Sequence, residues 1–141
     1  MRDDRQGLGH YAEELVARHL DRKGWQIVQR NYHCRWGEID LIARDQGCLV
    51  FVEVRARRGD AFGTAAESIT PRKAARLLAS AQFYLAENGL EESPWRIDVA
   101  ALDLTPRGQI KRLEVLENAV EGGGSWGTWS RTSWQPGHEE E

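Results

Sequence analysis

Apolar positions along the chain fall into two helical stripes and a series of short β-rich runs. Leu8, Ala12, Leu15, Val16, His19 and Leu20 recur at the spacing of one helix face over Leu8–Lys23, and Gly24 ends the run. On that helix Glu14 lies opposite the stripe and faces water, while Glu13 lies at its margin, about 100° from the stripe centre. Trp25–Cys34, Glu38–Arg44 and Cys48–Arg55 read as three strands, with "DQG" as a hairpin turn between the second and third. Gly59–Glu67 reads as a loop. Thr70 is an N-cap with Pro71 at the first helical position, and the second helix runs to about Glu87. Its stripe is Ala74, Leu77, Leu78, Ala81, Tyr84 and Leu85. Trp95–Leu104 is a fourth strand, with Ile97, Val99 and Ala101 on one face, and Ile110–Leu116 a fifth.

The order α-β-β-β-α-β(-β) predicts an α/β fold: a mixed β-sheet flanked by helices. Residues 1–121 form the domain. From Gly122 the chain is Gly/Ser-rich and without periodicity, so residues 122–141 are expected to be a disordered tail. Its three tryptophans would be partner-docking or simply solvated. No internal repeat is visible.

The hairpin carries the candidate chemistry. With Gln46 and Gly47 as the loop residues, Asp45 faces Cys48, and every later pair keeps that register. Asp40 then stands directly opposite Glu53 on one face, their Cβ atoms roughly 4.5–5.5 Å apart. Two like charges so placed repel, unless one is protonated or a cation lies between them. Oxygen ligands of this kind suit a hard divalent ion such as Mg²⁺ (or Mn²⁺), which shares its shell with waters and phosphate oxygens. Alternation adds Arg55 to the same face and sets it opposite Glu38. A carboxylate pair with a cation beside it fits phosphodiester hydrolysis. The plainer arrangement is a Glu38–Arg55 cross-strand ion pair with Asp40 in solvent. Against it, "CLVFVEV" reads as a strand buried on both faces, where a solvated Glu53 needs a cleft.

Composition narrows the class. The 141 residues suit one domain with a real core. Cys34 and Cys48 stand in unrelated contexts, with no spacing suited to zinc. The charged start "MRDDRQGLGHYAEEL" has no apolar leader, and no run of 18 apolar residues exists, so a reduced, cytoplasmic chain with no membrane segment is expected. A net charge of −3 excludes a uniformly basic nucleic-acid binder. Locally, though, Arg55, Arg57, Arg58, Arg72, Lys73 and Arg76 are six positive charges against Asp60 and Glu67. That patch is either a phosphate-binding surface or a solvated face.

Six blocks in order, "AEELVARHL", "RNYHCRWGEID", "FVEVR", "TPRK", "RIDVAAL" and "LENAV", give residues 9–120 a strong resemblance to the YraN-like family. That family is related to the Holliday-junction-resolvase-like nucleases of the PD-(D/E)xK superfamily. The resemblance implies a restriction-endonuclease-like fold, with Asp40 and Glu53 as metal-binding acids and Glu13 as the helix glutamate that joins them. Arg55 falls where the superfamily usually has lysine. A guanidinium can stabilise phosphate charge but cannot act as a general base. Lys73 is an alternative ammonium. Asp98 matches a family block and either fixes a loop or takes part in the chemistry. Trp36 either stacks on a base or packs. His10, His19 and His33 show no triad pattern.

Three functions follow as expectations. The first is a Mg²⁺-dependent endonuclease acting on DNA, branched or otherwise structured, with catalytic Asp40, Glu53 and Arg55. The second is a nuclease fold that binds nucleic acid without cutting it. The third is a protein-interaction domain. A homodimer is the assembly that the resemblance brings, because a four-way junction has two-fold symmetry.

Overall fold

In the computed structural model of the chain, which describes residues 4–59, 69–120 and 130–134, Gln46 and Gly47 both take left-handed backbone, with φ of 51° and 85°. This is the geometry of a two-residue hairpin turn, and Asp45 pairs with Cys48 as expected. The elements are α1 (Asp4–Arg22), β1 (Gln26–Cys34), β2 (Gly37–Asp45), β3 (Cys48–Arg58), α2 (Pro71–Glu87), β4 (Trp95–Leu104), β5 (Ile110–Val120) and β6 (Ser130–Trp134). The expected α/β order is therefore present. The sheet runs β1-β2-β3-β4-β5-β6 and is mixed: β3 and β4 are parallel, joined through α2, and all other neighbours are antiparallel.

The two helices pack on opposite faces, which is why β3 is apolar at successive positions. Val50 and Val52 join Ala12, Val16 and Leu20 of α1 in one core cluster. Leu49 and Phe51 join Ala74, Leu77, Ala81 and Leu85 of α2 in another. All four β3 residues are buried to within 1 % of full coverage, so the centre of the sheet is closed to water on both sides. Thr70 Oγ1 accepts from the Lys73 amide and Pro71 begins the helix, as the sequence indicates. Edge-on rings of Tyr32, Tyr84, Phe51 and Trp95 tie α2 to the sheet.

Besides shifts of one residue at other ends, β3 continues past Arg55 to Arg58, and three larger differences from expectation stand out. Helix α1 starts at Asp4, before its apolar stripe, and β5 continues past Leu116 to Val120. Within the stretch expected to be a disordered tail, Ser130–Trp134 pairs antiparallel with Leu113–Glu117 as β6. "SRTSW" holds β-prone threonine and tryptophan after the glycines, and β5 offers it an otherwise open edge. The rest of that tail, including Trp126 and Trp129, lies outside the described residues, as does most of the Gly59–Glu67 loop. Among the described residues no helix is long and apolar enough to cross a membrane. Cys34 and Cys48 are both free.

Candidate functional site

The cleft exists because β2 leaves β3 early. Their ladder runs from Asp45–Cys48 to Leu41–Val52 and stops. Asn31, on β1 opposite Asp40, has a left-handed φ of 53°, and the β1–β2 pairing skips this position. Beyond that kink the faces exchange: Leu41 packs in the α1 cluster, yet Ile39 packs in the α2 cluster. The far end of the β1–β2 hairpin thus turns out of the sheet. One more regular rung would have given the Val54 amide the Ile39 carbonyl. Instead, Asp40 Oδ2 accepts from the Val54 amide at 2.8 Å.

The gap is a cleft of about 1010 Å³ that is bounded by both helices and by the split strands. Glu13 reaches it from α1, Asp40 and Glu38 from β2, Glu53 and Arg55 from β3, and Lys73 and Arg76 from α2. Asp40 and Glu53 stand just beyond the last ladder pair, Leu41–Val52, and their side chains meet. Burial pushes the Asp40 carboxyl above its usual range, against the Val54 amide that holds it down. Burial, and then the Asp40 charge, push Glu53 up to about 8, with Arg55 and Lys73 pulling the other way. Glu13 is also raised, first by burial and then by Asp40. Asp40 is therefore the group through which the other two acids interact.

The donor set fits a hard dication in its chemistry. Carboxyls brought together out of water resist ionising side by side, and a divalent ion between them would relieve that repulsion. They do not yet form a closed shell: among the described residues no three His, Cys, Asp or Glu side chains lie together as a metal site. Asp40 and Glu53 are the core of the arrangement, and Glu13 approaches them from the helix.

The remaining expected residues separate. Arg55 Nη1 stands 3.5 Å from Glu53 Oε2, a neighbour on its own strand. Glu38 is 3.2 Å from His33 Nδ1 across the β1–β2 hairpin. The register expected to set Arg55 opposite Glu38 is not kept that far, and the plainer Glu38–Arg55 ion pair does not form, because the β2–β3 ladder has already ended at Leu41–Val52. Of the linear basic patch, Arg55, Lys73 and Arg76 line the cleft. Arg58 lines a separate hollow of about 330 Å³ with Tyr11 and Arg107. Arg72 is exposed on α2 and Arg57 is half-buried on β3, and neither lines the cleft.

Asp98 is structural. It is fully buried on β4, where it accepts from Arg96 Nε at 3.0 Å and from the Asn118 amide at 2.9 Å. Asn118 has a left-handed φ of 54° and marks the bulge in β5. Arg96 also meets Asp45 at 3.1 Å and lies over Trp25. His19 is buried at the core edge, and Glu14 faces outward to Arg18 and Arg30.

What sequence reasoning missed is the left-handed Asn31, which lies across from Asp40 where the faces of β2 exchange. Its signal was an asparagine, tolerant of left-handed backbone, inside a β-rich run.

Comparison with known proteins places the chain among sequence relatives. The family model described as "Uncharacterised protein family UPF0102" matches residues 12–102. A UPF0102 protein of Pelotomaculum thermopropionicum is 50% identical over 119 residues, covering 84% of this chain and 99% of that protein. UPF0102 proteins of Herpetosiphon aurantiacus and Roseiflexus castenholzii are each 49% identical, over 77% and 81% of this chain and 90% and 93% of theirs.

Proposed function

The chain belongs to the uncharacterised family UPF0102, and we propose that it is a divalent-metal-dependent nuclease that hydrolyses phosphodiester bonds in DNA. One observation carries this reading: Asp40 and Glu53 meet, desolvated and acid-paired, in a cleft that Arg55, Lys73 and Arg76 also line.

Asp40 and Glu53 would hold Mg²⁺ or Mn²⁺, with Glu13 contributing from α1. When bound, the ion would polarise the phosphate and lower the pKa of an attacking water. The chain does the rest by position. The Val54 amide fixes the Asp40 carboxylate by one oxygen, so its orientation does not depend on side-chain torsion alone. Arg55 stands beside Glu53 and offsets negative charge gathering on the phosphate. It holds its proton throughout and takes none from water. Lys73 and Arg76 at the start of α2 bind flanking phosphates.

A second reading, binding without cutting, is favoured by the Arg55–Glu53 contact, which engages one of the two acids. Incubation with Mg²⁺ or Mn²⁺ and linear, flapped and four-way DNA separates the two. The nuclease reading expects cutting that Asp40→Asn and Glu53→Gln abolish. Retained binding with no cutting leaves the second reading. Cutting that survives both substitutions overturns the assignment of the acids.

A further inference from the structure

The β1–β2 tip carries a tryptophan where burial would be expected and does not occur. Trp25 is 5 % exposed, but Trp36 is 47 % exposed. Trp36 lies at the mouth of the carboxylate cleft and is counted among its walls. Arg35 sets its guanidinium over the indole, 4.9 Å from the ring centroid. An exposed indole backed by a cation is costly to leave in water and has a π-face to offer.

The tip is also held in place. Gly37, immediately after Trp36, has a φ of 149° and lies against α2. A Cβ there would stand 3.3 Å from Ser80 Oγ and 3.8 Å from Arg76 Cβ, so the turn approaches the helix as only glycine allows. Just below the tip, His33 Nδ1 lies 3.2 Å from Glu38 Oε2 across the hairpin. Trp36 therefore stands on fixed backbone four residues from Asp40. At the rise of an extended strand that is at most about 13 Å, within a few nucleotides of a phosphate in the cleft.

We propose that Trp36, with Arg35 behind it, is a stacking platform for an unpaired nucleobase, so that the cleft takes nucleic acid with a single-stranded segment beside the scissile phosphate. This rests on the nucleic-acid reading of the cleft. An indole face binds a base once that base has left its own stack; in uninterrupted duplex the base faces are already covered by their neighbours. The cations Arg55, Lys73 and Arg76 hold the backbone, and Trp36 selects the strand state.

Binding without cutting tests the platform. Wild type, Trp36→Ala, Trp36→Phe and Arg35→Ala are titrated, in chelator at low salt, against labelled single-stranded DNA, perfect duplex and duplex with a single-stranded flap. Trp36→Ala should weaken the single-stranded and flapped probes by roughly 5- to 100-fold and leave duplex binding within about two-fold. Trp36→Phe should recover much of the loss, and Arg35→Ala should show a smaller one. Equal loss on all three probes, or none, overturns the platform but leaves the cleft reading standing. Wild type that binds no probe overturns both. Trp36 is exposed, and unchanged circular dichroism and Tm of the variants establish that folding is not the cause.

Discussion

Asp40 Oδ2 accepts a hydrogen bond from the Val54 backbone amide at 2.8 Å, so an acidic side chain stands in for the next rung of the β2–β3 ladder. The same group both ends the pairing and presents a carboxyl to Glu53. Fold and candidate chemistry are coupled at this atom, and the two can be separated by substitution. Asn at position 40 keeps an oxygen acceptor for Val54 and removes the charge; Ala removes both. Asp40→Ala should cost about 1–2 kcal/mol, the penalty of a half-buried amide left without its partner. Asp40→Asn should keep wild-type stability within about 1 kcal/mol and lose Mg²⁺ binding. Urea denaturation and calorimetry read the two effects separately.

Glu53 gives the protein a pH dependence opposite to that of an ion-paired surface acid. Its folded value, about 8, lies above the ordinary 4.5, because it is buried and faces Asp40, with Arg55 and Lys73 only partly offsetting this. Between those values the folded protein keeps a proton that the unfolded chain has released. The stability tied to this proton is present at low pH and is lost as pH rises through the folded value. Glu53→Gln should therefore be more stable than wild type at alkaline pH, by on the order of 2 kcal/mol, with the gap closing towards pH 5. Mg²⁺ should raise the Tm of wild type at alkaline pH and leave that of Glu53→Gln unchanged.

Arg55 lowers the Glu53 value from a distance of 3.5 Å. Arg55→Ala removes that pull, so Glu53 should hold its proton to still higher pH. Metal binding requires the deprotonated acid, and its onset should move up in pH by the same amount. Calorimetric Mg²⁺ titrations from about pH 6 to about pH 9 would display the shift. An onset at the wild-type pH would mean that Arg55 does not govern this acid.

The parts of the fold that follow from local chemistry were legible. Gln46–Gly47 specifies a two-residue turn, that turn specifies the register, and the register brings Asp40 and Glu53 together. Thr70–Pro71 specifies the start of α2, and the unbroken apolar run in β3 specifies burial on both faces. What was not legible depends on strands leaving that register. Asn31 and Asn118 each take left-handed backbone inside a strand, and each sits by a buried or half-buried aspartate, Asp40 and Asp98. Alternation carried past such a kink assigns residues to the wrong neighbour. That is why Glu38 pairs with His33 rather than Arg55. Strand β6 was hidden for another reason: five β-capable residues behind a glycine run gain a partner only from the β5 edge.

Asp98 is a stability residue outside the cleft. Its carboxylate is fully buried and is satisfied by Arg96 and by the Asn118 amide that the β5 bulge leaves outside the ladder. Asp98→Ala would strand both donors and should cost about 3 kcal/mol or more. Denaturant unfolding would measure it, and binding of nucleic acid by the fraction still folded should be unaltered. A stable Asp98→Ala protein with a lost activity would instead move Asp98 into the site.

The approach of Gly37 to α2 yields a paired test. A side chain at position 37 meets two separate penalties, the left-handed φ of 149° and the 3.3 Å contact with Ser80 Oγ. Ser80 is itself fully buried, and its Oγ has no hydrogen-bond partner among the described residues. Ser80→Ala should thus be neutral or slightly stabilising, since it removes an unsatisfied hydroxyl. Gly37→Ala should cost about 1–2 kcal/mol, from backbone strain and crowding together. In the double variant the crowding is gone and the strain remains, so the two effects should fall short of additivity by about 0.5–1 kcal/mol. The same substitutions report on the platform, because Gly37 sets how closely Trp36 stands to the cleft. Gly37→Ala should weaken single-stranded DNA binding more than duplex binding, and Ser80→Ala should restore part of it. Strict additivity in stability would show that the tip and α2 do not press on each other at this point.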